Sequence, residues 1–241
     1  MDRTDTKFVT TEDKLVALLL KAKKAYFVQE ADGRRIASYY TLYFDTEDSS
    51  MFMAHHNGKL NRQKLRIRSY IDSDTSFLEV KTKDNHGSTR KDRTAIHGFD
   101  RIHAQDGNIY GVYTEILCDC SDFLAEHFRY KPVDMRAKIE NRFSRITLVN
   151  KEKTERVTID TGVEFHSLVT GISLALPRLV IIELKRARQS HSPIFEMLHP
   201  LHIKPMGFSK YCVGMTLTDS RLKRNLFLQG IHKINKMTAC N

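Results

Sequence analysis

The sequence predicts a mainly β domain of the α+β class, built on an antiparallel sheet or barrel with flanking helices. Strand-like runs separated by turn signals follow one another along most of the chain, without the strand–helix–strand rhythm of parallel sheets. Charged and apolar residues alternate within these runs, with the two-residue period of a strand. Helical apolar periodicity is confined to a few segments.

The predicted elements follow from these patterns in chain order. Strands are predicted at residues 3–9, 36–45, 63–71, 76–83, 88–97, 109–117, 138–149, 155–160, 178–187 and 210–217, and helices at about 10–25, 47–56, 121–130 and 219–235. The first helix carries the apolar stripe of Leu15, Leu18 and Leu19. The spacing Asp45-x-x-Asp48 indicates a cap for the second helix, which ends at Asn57-Gly58.

The chain is expected to form one domain over residues 1–241, because it contains no linker, repeat or low-complexity segment. Its formal charge of +10 favours an anionic partner. The apolar run Leu15–Leu20 is too short to span a membrane, so any membrane association would be peripheral. The four cysteines match neither a disulfide framework nor a zinc motif, and we expect reduced thiols in a cytoplasmic protein.

Several predicted strands carry one charged face. Lys64, Arg66 and Arg68 alternate with apolar residues and therefore share a face. The same pattern recurs in five later segments, which contain Glu79, Lys81 and Lys83; Lys91 and Arg93; Phe143 with Arg145; Arg156 with Thr158 and Asp160; and Glu183 with Lys185. A solvent-exposed sheet face would explain any one of them. Several adjacent strands with mostly positive charge would repel one another, so we expect them to surround a polyanion. Their apolar faces would then look outward and be covered by the helices at about 10–25, 121–130 and 219–235.

Five motifs resemble the VTC domain, the polyphosphate-polymerising domain of the vacuolar transporter chaperone complex, which also occurs as stand-alone bacterial chains. They are Tyr43-Phe-Asp-Thr46, Lys64-Leu-Arg-Ile-Arg68, Phe77-Leu-Glu-Val-Lys81, Ile181-Ile-Glu-Leu-Lys185 and Gly207-Phe-Ser-Lys-Tyr-Cys212. They occur in the family's order and extend the resemblance over about residues 3–217. The chain is therefore identified as a bacterial-type member of the triphosphate tunnel metalloenzymes.

The resemblance implies an eight-stranded antiparallel tunnel barrel, open at both ends, with a polar basic lumen. It implies transfer of the ATP γ-phosphoryl group to polyphosphate, assisted by Mn²⁺ or Mg²⁺. The residues that it implicates in catalysis are Arg66, Arg68, Lys81, Arg145 and Lys210; those in substrate binding are Lys7, Lys83, Lys91, Arg93, Lys185 and Ser209; and the metal ligand is Glu183. Which of Lys91 and Arg93 contacts phosphate is left open.

The chain departs from the family pattern at two places. The superfamily begins with a Glu-x-Glu-x-Lys strand, whereas this chain has Arg3-x-Asp5-x-Lys7, so only the lysine carries over well. A metal site on the first strand is therefore not expected. Phe143 stands where the family tends to have tyrosine, which removes one hydroxyl that would contact phosphate.

Two other functions are compatible with the sequence. The same fold could hydrolyse tripolyphosphate or a nucleoside triphosphate, with water as the acceptor. The chain could also be a non-catalytic polyphosphate or RNA binder, although its basic strands carry few aromatic residues and no RNA-binding signature, and nucleic acid is not the expected partner. Glu79 is expected to form a salt bridge, His55-His56 to lie on a surface helix, and His199-x-x-His202 not to bind metal.

Overall fold

The computed structural model describes residues 3–30, 33–97, 109–187 and 192–239. Its strands are β1 (Arg3–Thr11), β2 (Tyr26–Val28), β3 (Ile36–Thr46), β4 (Arg62–Tyr70), β5 (Thr75–Lys83), β6 (Thr89–Ile96), β7 (Met135–Asn150), β8 (Glu155–Ser167), β9 (Ser173–Leu176) and β10 (Leu179–Ala187). Its α-helices are α1 (Glu12–Ala22), α2 (Ser50–His56), α3 (Ile109–Asp119), α4 (Ser121–His127), α5 (Pro193–Leu198), α6 (Lys210–Thr218) and α7 (Asn225–Thr238). In the described residues, no helix is long and apolar enough to cross a membrane.

The strands form one antiparallel sheet in the order β1-β10-β8-β7-β3-β4-β5-β6, with β2 paired to β7 and β9 paired to β8. The predicted α+β class and the path of eight strands are confirmed. The closed barrel is wrong, because no ladder between described residues joins β6 to β1. Instead, the chain near Pro205 bridges to Phe8, and the Met206 amide donates to the Lys7 carbonyl at 2.8 Å. An irregular segment thus covers part of the β1 edge.

The outer face of the sheet is apolar and covered by helices. On one side Leu65, Ile67 and Leu78 pack into a cluster with residues of α3 and α4. On the other side Phe8 and Ile182 pack with residues of α1 and α5. The prediction that apolar strand faces look outward beneath helices is confirmed for the helices near residues 10–25 and 121–130.

The concave face of the sheet, which we call the lumen, contains helix α6 at one end. The helix contacts β7, β8 and β9. A Cβ atom on Gly214 would lie 2.6 Å from the Phe165 ring and 2.7 Å from Ile139, so only glycine permits this approach. Residues of α7 join the same inner cluster, whereas residues 219–235 were predicted to cover the outer face. The tunnel open at both ends stays a prediction, and α6 lies inside one end of the lumen.

Two segments predicted as strands, 109–117 and 210–217, are helices in the structure. Helix α6 is buried around most of its circumference, from Tyr211 to Met215, and its sequence therefore lacks the 3.6-residue period of a surface helix. Its start is defined by Ser209, whose hydroxyl accepts from the Cys212 amide at 3.3 Å.

Candidate active site

A cavity of about 1360 Å³ opens where the sheet is not closed, between β1 and the β5–β6 hairpin. We call this gap the seam. Its lining includes Lys7, Lys81, Lys83, Glu183 and Ser209. Residues from both edges of the sheet and from the segment before α6 thus meet in one space. Helix α7 forms part of the wall opposite the hairpin.

The first charged cluster in the lumen joins β4, β5 and β6. Arg66 donates from Nε to Glu79 Oε2 at 2.8 Å, and Lys91 donates to Oε1 at 3.0 Å. Glu79 is fully buried. Burial would raise the pKa of Glu79, but Arg66, Arg68 and Lys91 outweigh it and lower the pKa to about 2. The predicted salt bridge of Glu79 is confirmed, and its single carboxylate holds two cations.

The second charged cluster joins β7, β8 and α6. Arg145 donates to both oxygens of Asp160, at 2.5 and 2.8 Å, and the Lys210 ammonium contacts the same carboxylate. Burial would raise the pKa of Asp160, but Lys210 and Arg145 reverse the effect and lower it. Sequence reasoning placed Asp160 on a charged face and gave it no role. The alternation that places Asp160 on the same strand face as Thr158 is the sequence pattern that could have indicated a position in the lumen.

The N-terminus of α6 is held by lysines from opposite sides of the lumen. Lys7 on β1 donates to the Phe208 carbonyl at 2.8 Å, and Lys64 on β4 donates to the Ser209 hydroxyl at 2.8 Å. Burial, together with Lys7 and Arg62, lowers the pKa of Lys64 to about 8. Lys64 was not among the predicted site residues, although it shares the charged face of Arg66.

Arg68 and Lys81 form none of the salt bridges found among the described residues, although Glu79 and Glu183 act on them electrostatically. Arg68 is 9% exposed, and its Nε has no hydrogen-bond partner. Burial and the charge of Arg66 lower the pKa of Arg68 to about 10. Burial, Lys7 and Arg66 lower the pKa of Lys81 to about 7. An anionic ligand would stabilise the charged forms of both side chains, because burial and neighbouring cations outweigh the nearby carboxylates.

The remaining predicted residues lie around these clusters. Lys83 lines the cavity at the end of β5, Lys91 reaches Glu79, and the Arg93 guanidinium lies 4.4 Å from the Phe77 ring centroid on the edge strand. Lys91 therefore lies with the central cations, whereas Arg93 lies farther towards the end of the sheet at which β3 begins.

Glu183 and Asp5 share one cation. Lys185 contacts Glu183 Oε1 at 3.0 Å and Asp5 Oδ2 at 3.1 Å. Burial would raise the pKa of Glu183, but Lys7 and Lys185 outweigh it and lower the pKa to about 2, so the carboxylate is ionised. Two carboxylates around one cationic position fit a hard divalent ion that completes its shell with substrate oxygens and water, although Asp5 lies on the first strand, where no metal site was expected. Within the described residues, no group of three or more His, Cys, Asp or Glu side chains forms a protein-only metal cage.

Asp45 connects the lumen to α2. The fully buried carboxylate accepts from the amides of Met51 and Phe52, both at 2.8 Å, which confirms the predicted cap. The Tyr211 hydroxyl of α6 also donates to Asp45. His55 and His56 were predicted to lie on a surface helix, which is wrong: His55 lines the cavity, and His56 is buried beside Asn225 of α7.

Comparisons with solved structures identify related folds. A candidate adenylate cyclase from Bacillus halodurans aligns over 87% of this chain and 96% of its own, with 14% identity and a TM-score of 0.52. A candidate adenylyl cyclase from Hippeastrum with dominant triphosphatase activity aligns over 91% of this chain and 97% of its own, with 16% identity and a TM-score of 0.53. At these identities the similarity shows the fold. No curated protein sequence matches the chain significantly.

The family is shown by the sequence itself. A model described as the VTC domain matches residues 2–218, which include every side chain of the two charged clusters as well as Glu183 and Asp5. Helix α7 follows the matched region. The chain belongs to the VTC domain family, and its mainly β sheet with flanking helices is similar to the folds of the triphosphate tunnel proteins.

Proposed function

We propose that this protein is a cytoplasmic ATP-dependent polyphosphate polymerase, which transfers the γ-phosphoryl group of ATP to a phosphate chain held in the lumen. The observation that carries the proposal is the large basic cavity at the seam. Cations from β1, β4, β5 and α7 line it, and Glu183 from β10 is a carboxylate among them. Such a surface suits a polyanion that is recognised by its charge and not by its bases.

The proposed roles follow from what phosphoryl transfer demands. The protein must align donor and acceptor and neutralise charge on the transferring oxygens. Arg66, Arg68 and Arg145 offer planar guanidinium groups that match phosphate oxygens, while Lys81 and Lys210 provide point charges. The substrate-binding residues in this proposal are Lys7, Lys83, Lys91, Arg93, Lys185 and Ser209.

A divalent ion, Mn²⁺ or Mg²⁺, is part of the proposal. Glu183 would hold it, and Asp5 is the second carboxylate within reach of the same cation position. When bound, the ion neutralises charge on the phosphate oxygens. Lys185 occupies the space between the two carboxylates and would turn towards phosphate when a metal takes its place.

In this proposal the route of a growing chain differs from a straight tunnel, because α6 lies inside one end of the lumen. The seam between β1 and the β5–β6 hairpin is the opening through which a product longer than a triphosphate could extend. Lys83 lies at this opening and could hold its outer phosphates.

The position of α6 inside one end of the lumen also favours a second candidate function, hydrolysis of tripolyphosphate or a nucleoside triphosphate. A hydrolase needs a pocket for three phosphates and does not need an exit for a polymer. The Hippeastrum protein, with its dominant triphosphatase activity, has a similar fold. The two functions share the same charged clusters and differ in whether water or phosphate is the acceptor.

Product analysis distinguishes these functions. Pure protein incubated with ATP and Mn²⁺ should yield ADP and a polyphosphate ladder on a gel, sensitive to an exopolyphosphatase. ADP with orthophosphate alone would support the hydrolase. Tight polyphosphate binding without nucleotide turnover, across Mn²⁺, Mg²⁺ and other divalent ions, would indicate a binding protein. A Glu183→Ala preparation made in parallel controls for contaminating kinases.

A further inference from the structure

Aromatic rings replace charges on the lumen face at the end opposite α6. Tyr39 on β3, Tyr70 on β4 and Phe77 on β5 have the same strand parity as the lumen arginines. All three rings are half-buried. Apart from Thr75, the other residues on the lumen face of β4 and β5 are Lys, Arg and Glu. A phosphate-only site does not require an apolar rim.

The rings form a continuous row. Tyr39 lies 5.0 Å from Tyr70 and 5.1 Å from Phe143, and its ring is stacked on Phe143 with an interplanar angle of 9°. Tyr70 meets Phe77 edge to face at 6.1 Å. The row therefore crosses β7, β3, β4 and β5, and its inner end reaches Phe143 beside the second charged cluster.

Guanidinium groups and small residues complete this end of the lumen. Arg145 lies 4.9 Å from the Tyr39 ring centroid, and the exposed Arg93 lies 4.4 Å from that of Phe77. The register neighbour of Phe77 on β6 is Ala95, which is exposed and small. A planar group could therefore enter beside Phe77 and lie against π faces and guanidinium planes.

The spacing along β5 relates the aromatic row to the phosphate site. Phe77 is two residues from Glu79 and four from Lys81, which corresponds to roughly 7 and 13 Å along a strand. A ligand with an anionic end near Lys81 and a flat apolar end near Phe77 would extend along the lumen. A nucleoside triphosphate has this shape, with phosphates, a ribose and a planar base in sequence.

We propose that Tyr39, Tyr70 and Phe77 form a nucleobase-stacking site, which makes nucleoside triphosphates the preferred phosphoryl donors over inorganic tripolyphosphate. The inference rests on the proposed function, since it takes the charged clusters as the phosphate site. Stacking accepts any base because every base has a π face. ATP and GTP should therefore bind more tightly than CTP and UTP, since purines offer the larger surface.

The test compares ATP with tripolyphosphate in competition titrations against a fluorescent polyphosphate, for the wild type and for Phe77→Ala and Tyr70→Ala. Loss of one stacked ring should weaken ATP binding by roughly 5- to 150-fold, as for base–aromatic stacking elsewhere, and leave tripolyphosphate binding unchanged. Phe27→Ala is the matched control, because Phe27 is an exposed ring on β2, 44% exposed. If Phe77→Ala does not fold, Phe77→Leu is tested in its place, because leucine keeps the apolar volume and removes the aromatic ring.

The outcomes separate the two claims. Equal affinity of the wild type for ATP and tripolyphosphate, or equal losses for both ligands in the variants, would overturn the stacking site and leave the proposed function standing. A wild-type protein that binds neither ligand would overturn the proposed function itself. Selective loss of ATP binding, with purine affinity above pyrimidine affinity in the wild type, would support the stacking site.

Discussion

Replacing Arg68 by methionine should separate ligand binding from folding. Arg68 is 9% exposed, and its pKa is lowered to about 10 from an ordinary 12.5 by burial and by the charge of Arg66. A shift of this size corresponds to about 3 kcal/mol against the charged form in the ligand-free protein. Methionine keeps most of the length and removes the charge, and hydrophobic replacement of buried charges is neutral or stabilises by about 1–4 kcal/mol.

The expected result for Arg68→Met is therefore an unchanged or higher melting temperature. At roughly 2–4 °C per kcal/mol for a chain of this size, relief of the buried charge would raise Tm by up to about 10 °C. Turnover should fall by roughly 10²–10³-fold, the usual effect of losing one donor that stabilises transition-state charge. Thermal melting followed by circular dichroism and an ADP-release assay measure the two effects on one preparation.

Leu65→Ala is the matched control on the same strand. Leu65 is fully buried on the outer face, so its truncation should cost about 2–5 kcal/mol of unfolding free energy and lower Tm by roughly 4–20 °C. The folded fraction should keep wild-type turnover. If Arg68→Met melts as early as Leu65→Ala and still turns over ATP normally, the lumen assignment of Arg68 is wrong.

Three further predictions follow from the same clusters. Glu183→Gln should abolish Mn²⁺-dependent turnover yet keep or raise the affinity for polyphosphate in EDTA, because a negative charge leaves a basic cavity; wild-type turnover across a Mn²⁺ titration would exclude Glu183 as the metal ligand. Burial lowers the pKa of Lys81 to about 7 and that of Lys64 to about 8, from the ordinary 10.5. A bound polyanion favours the charged lysines, so binding should take up protons between about pH 7 and 9. The affinity should therefore fall as the pH rises through this window. Calorimetry in buffers of different ionisation enthalpy measures this proton uptake, and Lys81→Met should reduce it. No proton uptake by the wild type would contradict the lowered pKa values of the two lysines. Tyr211→Phe removes the hydroxyl that donates to buried Asp45 and should destabilise the fold by about 1–3 kcal/mol, so a wild-type melting curve would refute its role in anchoring α6.

The sequence predicts strands well where one face is charged and the other apolar. In β4 the alternation from Lys64 to Arg68 identified both the strand and its lumen face, because a two-residue period is preserved when one side meets helices and the other side meets ligand. The same reasoning failed for residues 210–217. That segment is a helix buried on nearly all sides, and burial removes the periodicity that distinguishes a helix from a strand.

The sequence does not predict which distant charged residues form ion pairs with one another. The pattern placed Glu79, Asp160 and Glu183 on charged faces, but only the fold shows which cations each one holds. The same is true of Asp45, whose cap was predicted but whose contact with Tyr211 spans most of the chain. The open seam also depends on the register of the edge strands, which no local pattern specifies.

The central claim is that the seam cavity holds an extended phosphate chain, and chain-length dependence of binding tests it most directly. Dissociation constants for tripolyphosphate and for chains of increasing length should be measured at several salt concentrations in EDTA. The account predicts tighter binding and a steeper dependence of log K on log salt for the longer chains, because more cations are engaged along the seam. Identical affinities and slopes for three phosphates and for long chains would contradict it.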